Sequence, residues 1–319
     1  TRTIASQTKK NTILVVALAI CIGVLVGVLA AKPWQSGDDQ KVANITYPWP
    51  HEKSDIEQDP SVTYGSLENG LRYMVMQNAE PPNQLALRMH INVGSYHEEE
   101  DQLGLAHFLE HMAFNGLRNF DADELIPVMQ RLGIAFGAHA NAATSFDETF
   151  YEYDLPNSTD VEALNLVFTV MRDYADGMLL EKEEIDKERG VILSEMNIGD
   201  SIDWRLTKKL YSFLLPGHLL PLRWVIGDAD VISTAPRQRF VDFYEKYYTP
   251  DRITFIAVGD ADPDEIENRI KESFMSMPAK DQSKMDDEID LGSLTTGTGF
   301  EAAVFSDEEL VNEEMFMVF

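Results

Sequence analysis

The apolar and polar positions of this chain form three successive patterns, and each predicts a different kind of segment. Residues 13–31 are apolar and contain no charged side chain. Residues 32–60 are rich in Pro, Asp, Gln and Lys and have little periodicity, which is typical of a flexible linker. From residue 61 onwards, alternating and helically spaced segments follow one another, so a folded domain is predicted over residues 61–278.

Within the predicted domain, strands and helices are mixed. Residues 71–77 and 84–95 alternate apolar and polar side chains and are predicted to form a pair of antiparallel strands. The patterns predict further strands over 146–154 and 253–258, and helices over 105–115, 121–132, 160–176, 182–197 and 263–274. Because these elements do not alternate strictly, we predict an α+β fold: a two-layer domain whose mainly antiparallel or mixed sheet packs against helices.

The apolar run over residues 13–31 is long enough for one N-terminal transmembrane helix, since about 20 residues cross the hydrocarbon core. Three basic residues precede the run, so the positive-inside rule places residues 1–12 in the cytoplasm as a short stub. The alternative is a cleaved signal segment, for which this run is long. We therefore expect a membrane-anchored protein whose folded domain is extracytoplasmic, on the periplasmic side of a bacterial inner membrane.

Two segments follow the predicted domain. Residues 279–299 are polar and end in a Thr- and Gly-rich run, which predicts a second linker. Residues 300–305 and 315–319 have strand-like patterns, and the sequence ends inside the second of these runs. We therefore expect residues 300–319 to be the truncated start of a following domain.

Charge and cysteine content exclude several classes of protein. The chain has 26 Lys and Arg against 54 Asp and Glu, a net charge of −28, whereas a nucleic-acid-binding protein needs a basic surface. An anionic lipid surface is disfavoured as the main partner for the same reason. The single cysteine, Cys21, lies in the apolar run, which excludes a disulfide framework and zinc sites built on Cys pairs. A bound metal must therefore be held by His and carboxylate groups.

One short motif carries most of the chemical information. His107, Glu110 and His111 lie in the helically spaced segment LAHFLEHMAF. Two histidines four residues apart project from one helix face, which lets both imidazoles reach a single metal ion at about 2.0–2.1 Å. The order His-x-x-Glu-His is the inverted form of the better-known zinc-peptidase motif. The alternative is three polar residues on a solvated helix, but the residues around them are largely apolar.

A catalytic zinc ion usually has three protein ligands, so a third is needed. Glu195 is the candidate, because it shares an apolar helical stripe with Ile185 and Ile192 and a buried carboxylate is costly unless it is paired or bound to a metal. Glu188 lies two turns earlier on the same face and is predicted to orient a ligand or the bound water. From composition alone, a solvent-facing acidic helix would be the default for both glutamates.

Residues 61–278 resemble the N-terminal catalytic domain of the insulinase or pitrilysin-type zinc peptidases. The resemblance rests on residues 104–116 with the inverted motif, on the small residues of 138–145, and on 188–196 with both later glutamates. Residues 244–250 and 258–260 support it. The resemblance implies one Zn²⁺ ion, with His107, His111 and Glu195 as its three ligands. It also implies that Glu110 is the general base and that Glu188 is a supporting carboxylate.

The same resemblance implies how a substrate is held. Asn141 is implied to contact the substrate backbone, and small residues such as Ala142 leave room for an extended peptide to add as a strand at the sheet edge. We therefore expect a zinc-dependent endopeptidase that hydrolyses peptides or small unfolded proteins. Members of the family work as two homologous halves, so a second half in the same chain or in a partner subunit is expected.

Two features depart from the family pattern. The run Arg223–Gly227 has Val225 where the family has Pro, and no segment of this chain can supply the second half. Two alternative functions stay open, a non-catalytic peptidase-like scaffold and a peptide-binding subunit of a membrane-anchored complex. The presence of Glu110 speaks against a scaffold, because a scaffold has no need of a general base.

Overall fold

Six strands form one sheet in the part of the chain that the structure, a computed structural model, describes: residues 49–279, 289–293, 303–305 and 307–309. The strands are β1 (Val62–Ser66), β2 (Arg72–Gln77), β3 (Leu85–Ile91), β4 (Ala140–Thr144), β5 (Thr149–Leu155) and β6 (Ile253–Gly259). The helices are α1 (Leu105–Met112), α2 (Leu125–Arg131), α3 (Val161–Asp176), α4 (Lys182–Gly199), α5 (Ile202–Leu214), α6 (Ala229–Thr234), α7 (Arg237–Tyr247) and α8 (Pro263–Phe274).

The sheet is mixed and mainly antiparallel. Its strand order is β1-β2-β6-β3-β5-β4, and only the β2–β6 pair is parallel among the pairs of this sheet. The predicted α+β class with a mixed sheet is therefore confirmed. Strand β4 is one edge of the sheet, and its outer side has no neighbouring strand among the described residues.

The first two long strands are antiparallel, as predicted, but they are not adjacent in the sheet. Strands β2 and β3 run in opposite directions, but β6 lies between them and forms hydrogen bonds with both. Strand β6 is buried along most of its length, so its apolar residues favour the centre of the sheet. The connection between β2 and β3 is long enough to pass over one inserted strand, because neighbouring strands are only about 4.8 Å apart.

Helices cover one face of the sheet. The alternate residues of β3 on this face, from Leu85 to Ile91, are fully buried, and helices α3 and α8 pack over β5 and β2, respectively. The opposite face is mixed: it carries half-buried Met74 and Ile256 on its central strands, and Arg88 there forms an ion pair with Glu152 at 3.0 Å. The two predicted layers are thus present, a sheet and a layer of helices.

The structure describes only parts of the segments that flank the predicted domain. Within them, no helix is both long and apolar enough to cross a membrane, and the predicted span over residues 13–31 lies outside them. The predicted linker over residues 32–60 is described from residue 49 onwards and contains a short 3-10 helix, Pro50–Lys53. Residues 303–305 belong to a predicted strand but form none; most of residues 300–319 lie outside the description.

Candidate metal centre

Helix α1 places the two motif histidines side by side. It is an eight-residue helix, and His107 and His111 lie one turn apart on the face that contacts β4 and α4. Their rings are 4.7 Å apart between centroids and nearly perpendicular, at 80°. His107 is buried and His111 is partly buried, so both imidazoles lie in a crevice rather than on a solvated helix surface.

Glu195 of helix α4 completes the cluster. Its Oε2 atom lies 3.7 Å from Nε2 of His107 and 3.6 Å from Nε2 of His111, and one ligand atom from each of the three residues lies within 4.8 Å of the others. These separations are too long for hydrogen bonds. They are close to the separations of about 3.3–3.6 Å between ligands that share one tetrahedral zinc ion at about 2.0–2.2 Å. The His-His-Glu set therefore fits a zinc ion.

The sequence argument for Glu195 assumed a buried position, and that assumption is wrong. The side chain of Glu195 is 50% exposed, whereas Ile185 and Ile192 on the same helix are fully buried. The buried residues of helix α4 are Ile185 and Ile192, and Glu195 follows them in the more exposed last turns of the helix. Exposure at this point is consistent with a site that leaves one position free for water or substrate.

Glu188 forms a hydrogen bond with His111. One carboxylate oxygen of Glu188 lies 2.8 Å from Nδ1 of His111, on the opposite side of the ring from the cluster. The other oxygen accepts a hydrogen bond of 2.9 Å from the Asn115 side chain, which also donates to the backbone carbonyl of His111. Asn115 was not predicted, although its position four residues after His111 is a helical signal. A carboxylate hydrogen-bonded to the outer ring nitrogen of a histidine is a common arrangement in metal sites.

Glu110 points into the crevice from the same helix. Its Oε2 atom accepts a hydrogen bond of 2.8 Å from the Thr144 hydroxyl, at the end of β4. Thr144 was not predicted as a site residue, because a threonine in a strand is common and only the fold brings it to Glu110. The hydrogen bond leaves the second carboxylate oxygen, Oε1, as the one that can face a substrate.

The ionisation of these groups follows from burial and from their mutual charges. Burial and, to a smaller extent, the neighbouring His111 together lower the pKa of His107 to about 4, against an opposing effect of Glu188. Burial also acts to lower the pKa of His111, but the Glu188 hydrogen bond and the surrounding carboxylates outweigh it and raise the pKa. Burial raises the pKa of Glu110, against the opposing effects of Thr144 and His111. His107 is thus held in the neutral form that binds metals.

The two candidate substrate-binding residues lie on the edge strand. Asn141 is exposed on β4, and Ala142 is half-buried beside it. Strand β4 is held on its inner side by β5, with Asn141 opposite Glu152 and Ala142 opposite Tyr151. The structure thus places both residues on the strand that ends at Thr144, next to Glu110, while neither belongs to the His-His-Glu cluster.

An α+β domain with a His-His-Glu cluster and two further glutamates beside it, Glu110 and Glu188, is typical of a metallopeptidase. Comparisons with known proteins agree with this class. Residues 73–215 match the family model described as Insulinase (Peptidase family M16), and residues 234–308 match the Peptidase M16 inactive domain. The chain belongs to the insulinase family of peptidases, family M16.

Particular relatives have similar sequences and structures. The probable zinc protease PqqL of Escherichia coli K12 is 37% identical over 70% of this chain, which covers 24% of that protein. The first half of the periplasmic protease PqqL from E. coli has a TM-score of 0.68 at 36% identity, over 71% of this chain and 48% of that one. Pitrilysin shares the fold, with a TM-score of 0.61 at 22% identity, over 74% of this chain and 25% of its own. The chain thus spans about a quarter of the length of the probable zinc protease PqqL of E. coli K12.

Proposed function

We propose that this chain is the metal-binding part of a zinc-dependent endopeptidase that hydrolyses peptides or small unfolded proteins. The observation that carries the proposal is the convergence of His107, His111 and Glu195 on one point, with Glu110 projecting from the same helix into the crevice. Membership of family M16 and the similarity to a probable zinc protease support it. The chain would hold one Zn²⁺ ion through Nε2 of each histidine and a carboxylate oxygen of Glu195.

The proposed chemistry divides between the ion and the chain. A zinc ion bound there would supply Lewis acidity, which would lower the pKa of water at the site and polarise the carbonyl of the scissile peptide bond. Glu110 acts as the general base: Oε1 takes a proton from the water whose oxygen attacks the carbonyl carbon, and it gives this proton to the amine nitrogen as the C–N bond breaks. Thr144 holds the other oxygen of Glu110, which limits the carboxylate to one orientation. Glu188 keeps His111 in the orientation that presents Nε2 to the ion.

We propose that the substrate binds along β4 as an additional strand. The outer edge of β4 has unpaired backbone groups within the described sheet, and an extended peptide can pair with such an edge. Asn141 is exposed there and has a side-chain amide that can both donate to and accept from a peptide backbone. Ala142 provides the small side chain that lets the peptide backbone approach the strand.

The cellular setting is proposed from the sequence and from the relatives. A relative with 36% identity is described as a periplasmic protease, and its first half alone is about twice the length that this chain covers. We propose an extracytoplasmic location, a membrane anchor formed by residues 13–31, and a second homologous half that completes the substrate-binding chamber. No nucleic acid is expected as a partner, because the chain has a net charge of −28.

Metal removal tests the proposed function. The full-length protein is expected to cleave a quenched fluorescent peptide, to lose this activity after dialysis against a chelator, and to regain it with one equivalent of zinc. A peptide-binding subunit would bind the peptide without cleaving it, and a scaffold would do neither. Zinc-loaded full-length protein that leaves a broad peptide library uncut would therefore contradict the proposal.

Glu188 offers a test of the supporting carboxylate. Glu188→Gln is expected to weaken zinc binding by about 10–100-fold, because the amide no longer provides a charged partner for Nδ1 of His111. Competition with a chromophoric chelator measures the affinity. Glu184→Gln is the matched control, since Glu184 lies on the same helix and forms an ion pair with Lys187 at 2.6 Å. Equal zinc affinities of the two variants would contradict the assigned role of Glu188.

A further inference from the structure

A buried carboxylate that the proposed reaction does not use lies at the start of helix α1. The Glu98 side chain accepts hydrogen bonds of 2.9 Å from the backbone N–H groups of Gly104 and Ala106. Glu98 is only 4% exposed. Gly104 begins the helix and has no side chain to cap it, while the N–H groups of a first turn otherwise lack acceptors. Glu98 therefore acts as the cap of α1 from six residues earlier in the chain.

Glu98 is itself fixed by a second buried residue. Nε of Arg223 donates a hydrogen bond of 3.0 Å to the backbone carbonyl of Glu98, and the backbone carbonyl of Arg223 accepts one of 2.6 Å from the Ser95 hydroxyl. Both Ser95 and Arg223 are buried. Burial raises the pKa of the Glu98 carboxyl to about 8, although the two N–H donors and Arg223 oppose this shift. A buried carboxyl group is costly unless it is hydrogen-bonded, and both oxygens of Glu98 accept backbone N–H groups at the start of α1.

The loop that contains Arg223 also contacts the helix start directly. Gly104 and Gly227 both have positive φ angles, +97° and +81°, and a Cβ atom on Gly227 would lie only 2.3 Å from Cα of Gly104. The two backbones therefore pack against each other without room for a side chain. The segment Arg223–Gly227 thus packs against the N-terminus of helix α1. This is the segment that departs from the family pattern at Val225.

The two histidines of the cluster differ in how their rings are held. His111 is oriented by Glu188, whereas Nδ1 of His107 is buried and has no hydrogen-bond partner among the described residues. The position of the His107 ring therefore depends on its packing and on the backbone that carries it. His107 directly follows Ala106, whose N–H group is held by Glu98.

We infer that Glu98, held in place by Arg223, is a positioning residue of the metal centre that sets where His107 presents Nε2. This inference rests on the proposed function, because it concerns the same metal site. Glu98 touches neither the proposed ligand atoms nor a substrate, and it acts through the backbone of the first turn of α1. Outer residues that fix ligands in this way change metal affinity by about 10–100-fold when they are replaced.

Cobalt titration of the full chain tests the inference, since Co²⁺ reports both affinity and ligand geometry through its visible absorption bands. Glu98→Gln retains one acceptor, but its amide nitrogen cannot accept the second backbone N–H. This variant is expected to bind cobalt about 10-fold more weakly than wild type, with altered bands, at a temperature where circular dichroism shows both proteins folded. A role confined to stability would lower the melting temperature and leave the bands unchanged.

Asp173→Asn is the matched control. Asp173 is a second buried carboxylate that accepts a hydrogen bond of 2.9 Å from a backbone N–H group, that of Asn119, away from the start of α1. This variant is expected to lose stability while keeping the cobalt affinity and bands of wild type. A Glu98→Gln variant with wild-type affinity and bands would overturn the inference.

A milder variant keeps the test decisive where Glu98→Gln does not fold. Ser95→Ala removes only the hydrogen bond to the carbonyl of Arg223, and it is expected to weaken cobalt binding in the same direction by a smaller factor. Unchanged cobalt binding by this variant would then overturn the inference. Wild-type protein that binds no cobalt at all would overturn the proposed metal centre, and the inference with it.

Discussion

Glu110→Gln is expected to abolish peptide hydrolysis by the full-length protein while its zinc content stays at one ion per chain. The amide has nearly the same size and can still accept a hydrogen bond from Thr144, but it cannot take a proton from water. General acid–base groups contribute about 10²–10⁴-fold to the rate, so kcat is expected to fall by that factor with little change in KM. Glu110 is not a ligand in the proposed site, so zinc affinity should be preserved.

Hydrolysis of a quenched fluorescent peptide and zinc analysis of the same samples measure these two outcomes together. Glu265→Gln serves as the control, because Glu265 lies on helix α8, where it forms an ion pair with Arg269 at 3.1 Å. The control is expected to keep both wild-type kcat and wild-type zinc content. A Glu110→Gln variant that cleaves peptides at the wild-type rate would show that the general base is another residue.

Local patterns predicted the elements well where caps and periodicity agree. Helix α8 has the predicted bounds, Pro263–Phe274, because Asp262 accepts a hydrogen bond from the N–H group of Asp264 and proline favours the first helical turn. The pairing of β2 with β6 was not predicted, since it joins residues about 180 positions apart that no local pattern connects. Strand order is decided by burial across the whole sheet rather than by neighbouring segments.

Site residues that lie close together in the sequence could be predicted, whereas those that only the fold brings together could not. His107, Glu110 and His111 share one helix, so their spacing alone predicts that they lie together. Glu98 opens a run of four acidic residues, which resembles a solvated charge cluster. The fold buries Glu98 and leaves the next three exposed or ion-paired with Arg223 and Arg239. Only the position of Gly104 in space distinguishes Glu98 from its neighbours.

Removal of one histidine is expected to have a larger effect on zinc than any change in the surrounding residues. His107→Ala and His111→Ala each leave two of the three proposed ligands. Replacing a residue that only supports a ligand lowers metal affinity by about 10–100-fold, and the loss of a ligand should lower it by more. Zinc that remains bound after dialysis measures this loss. His90→Ala is the control, because His90 pairs with Glu148 at 2.9 Å away from the cluster and should leave zinc binding unchanged.

The two variants should also differ from each other. His111→Ala removes the partner of Glu188 and leaves that largely buried carboxylate with only the Asn115 bond, whereas Nδ1 of His107 has no partner to lose in the described structure. An unpaired buried carboxylate is costly, so the metal-free His111→Ala protein should melt at a lower temperature than metal-free His107→Ala. Retention of zinc by both variants would contradict the assignment of the ligands. Equal melting temperatures would instead contradict the role of Glu188 as the partner of His111. The two outcomes are independent, because the three ligands determine zinc binding, whereas the pairing of Glu188 contributes to the stability of the metal-free protein.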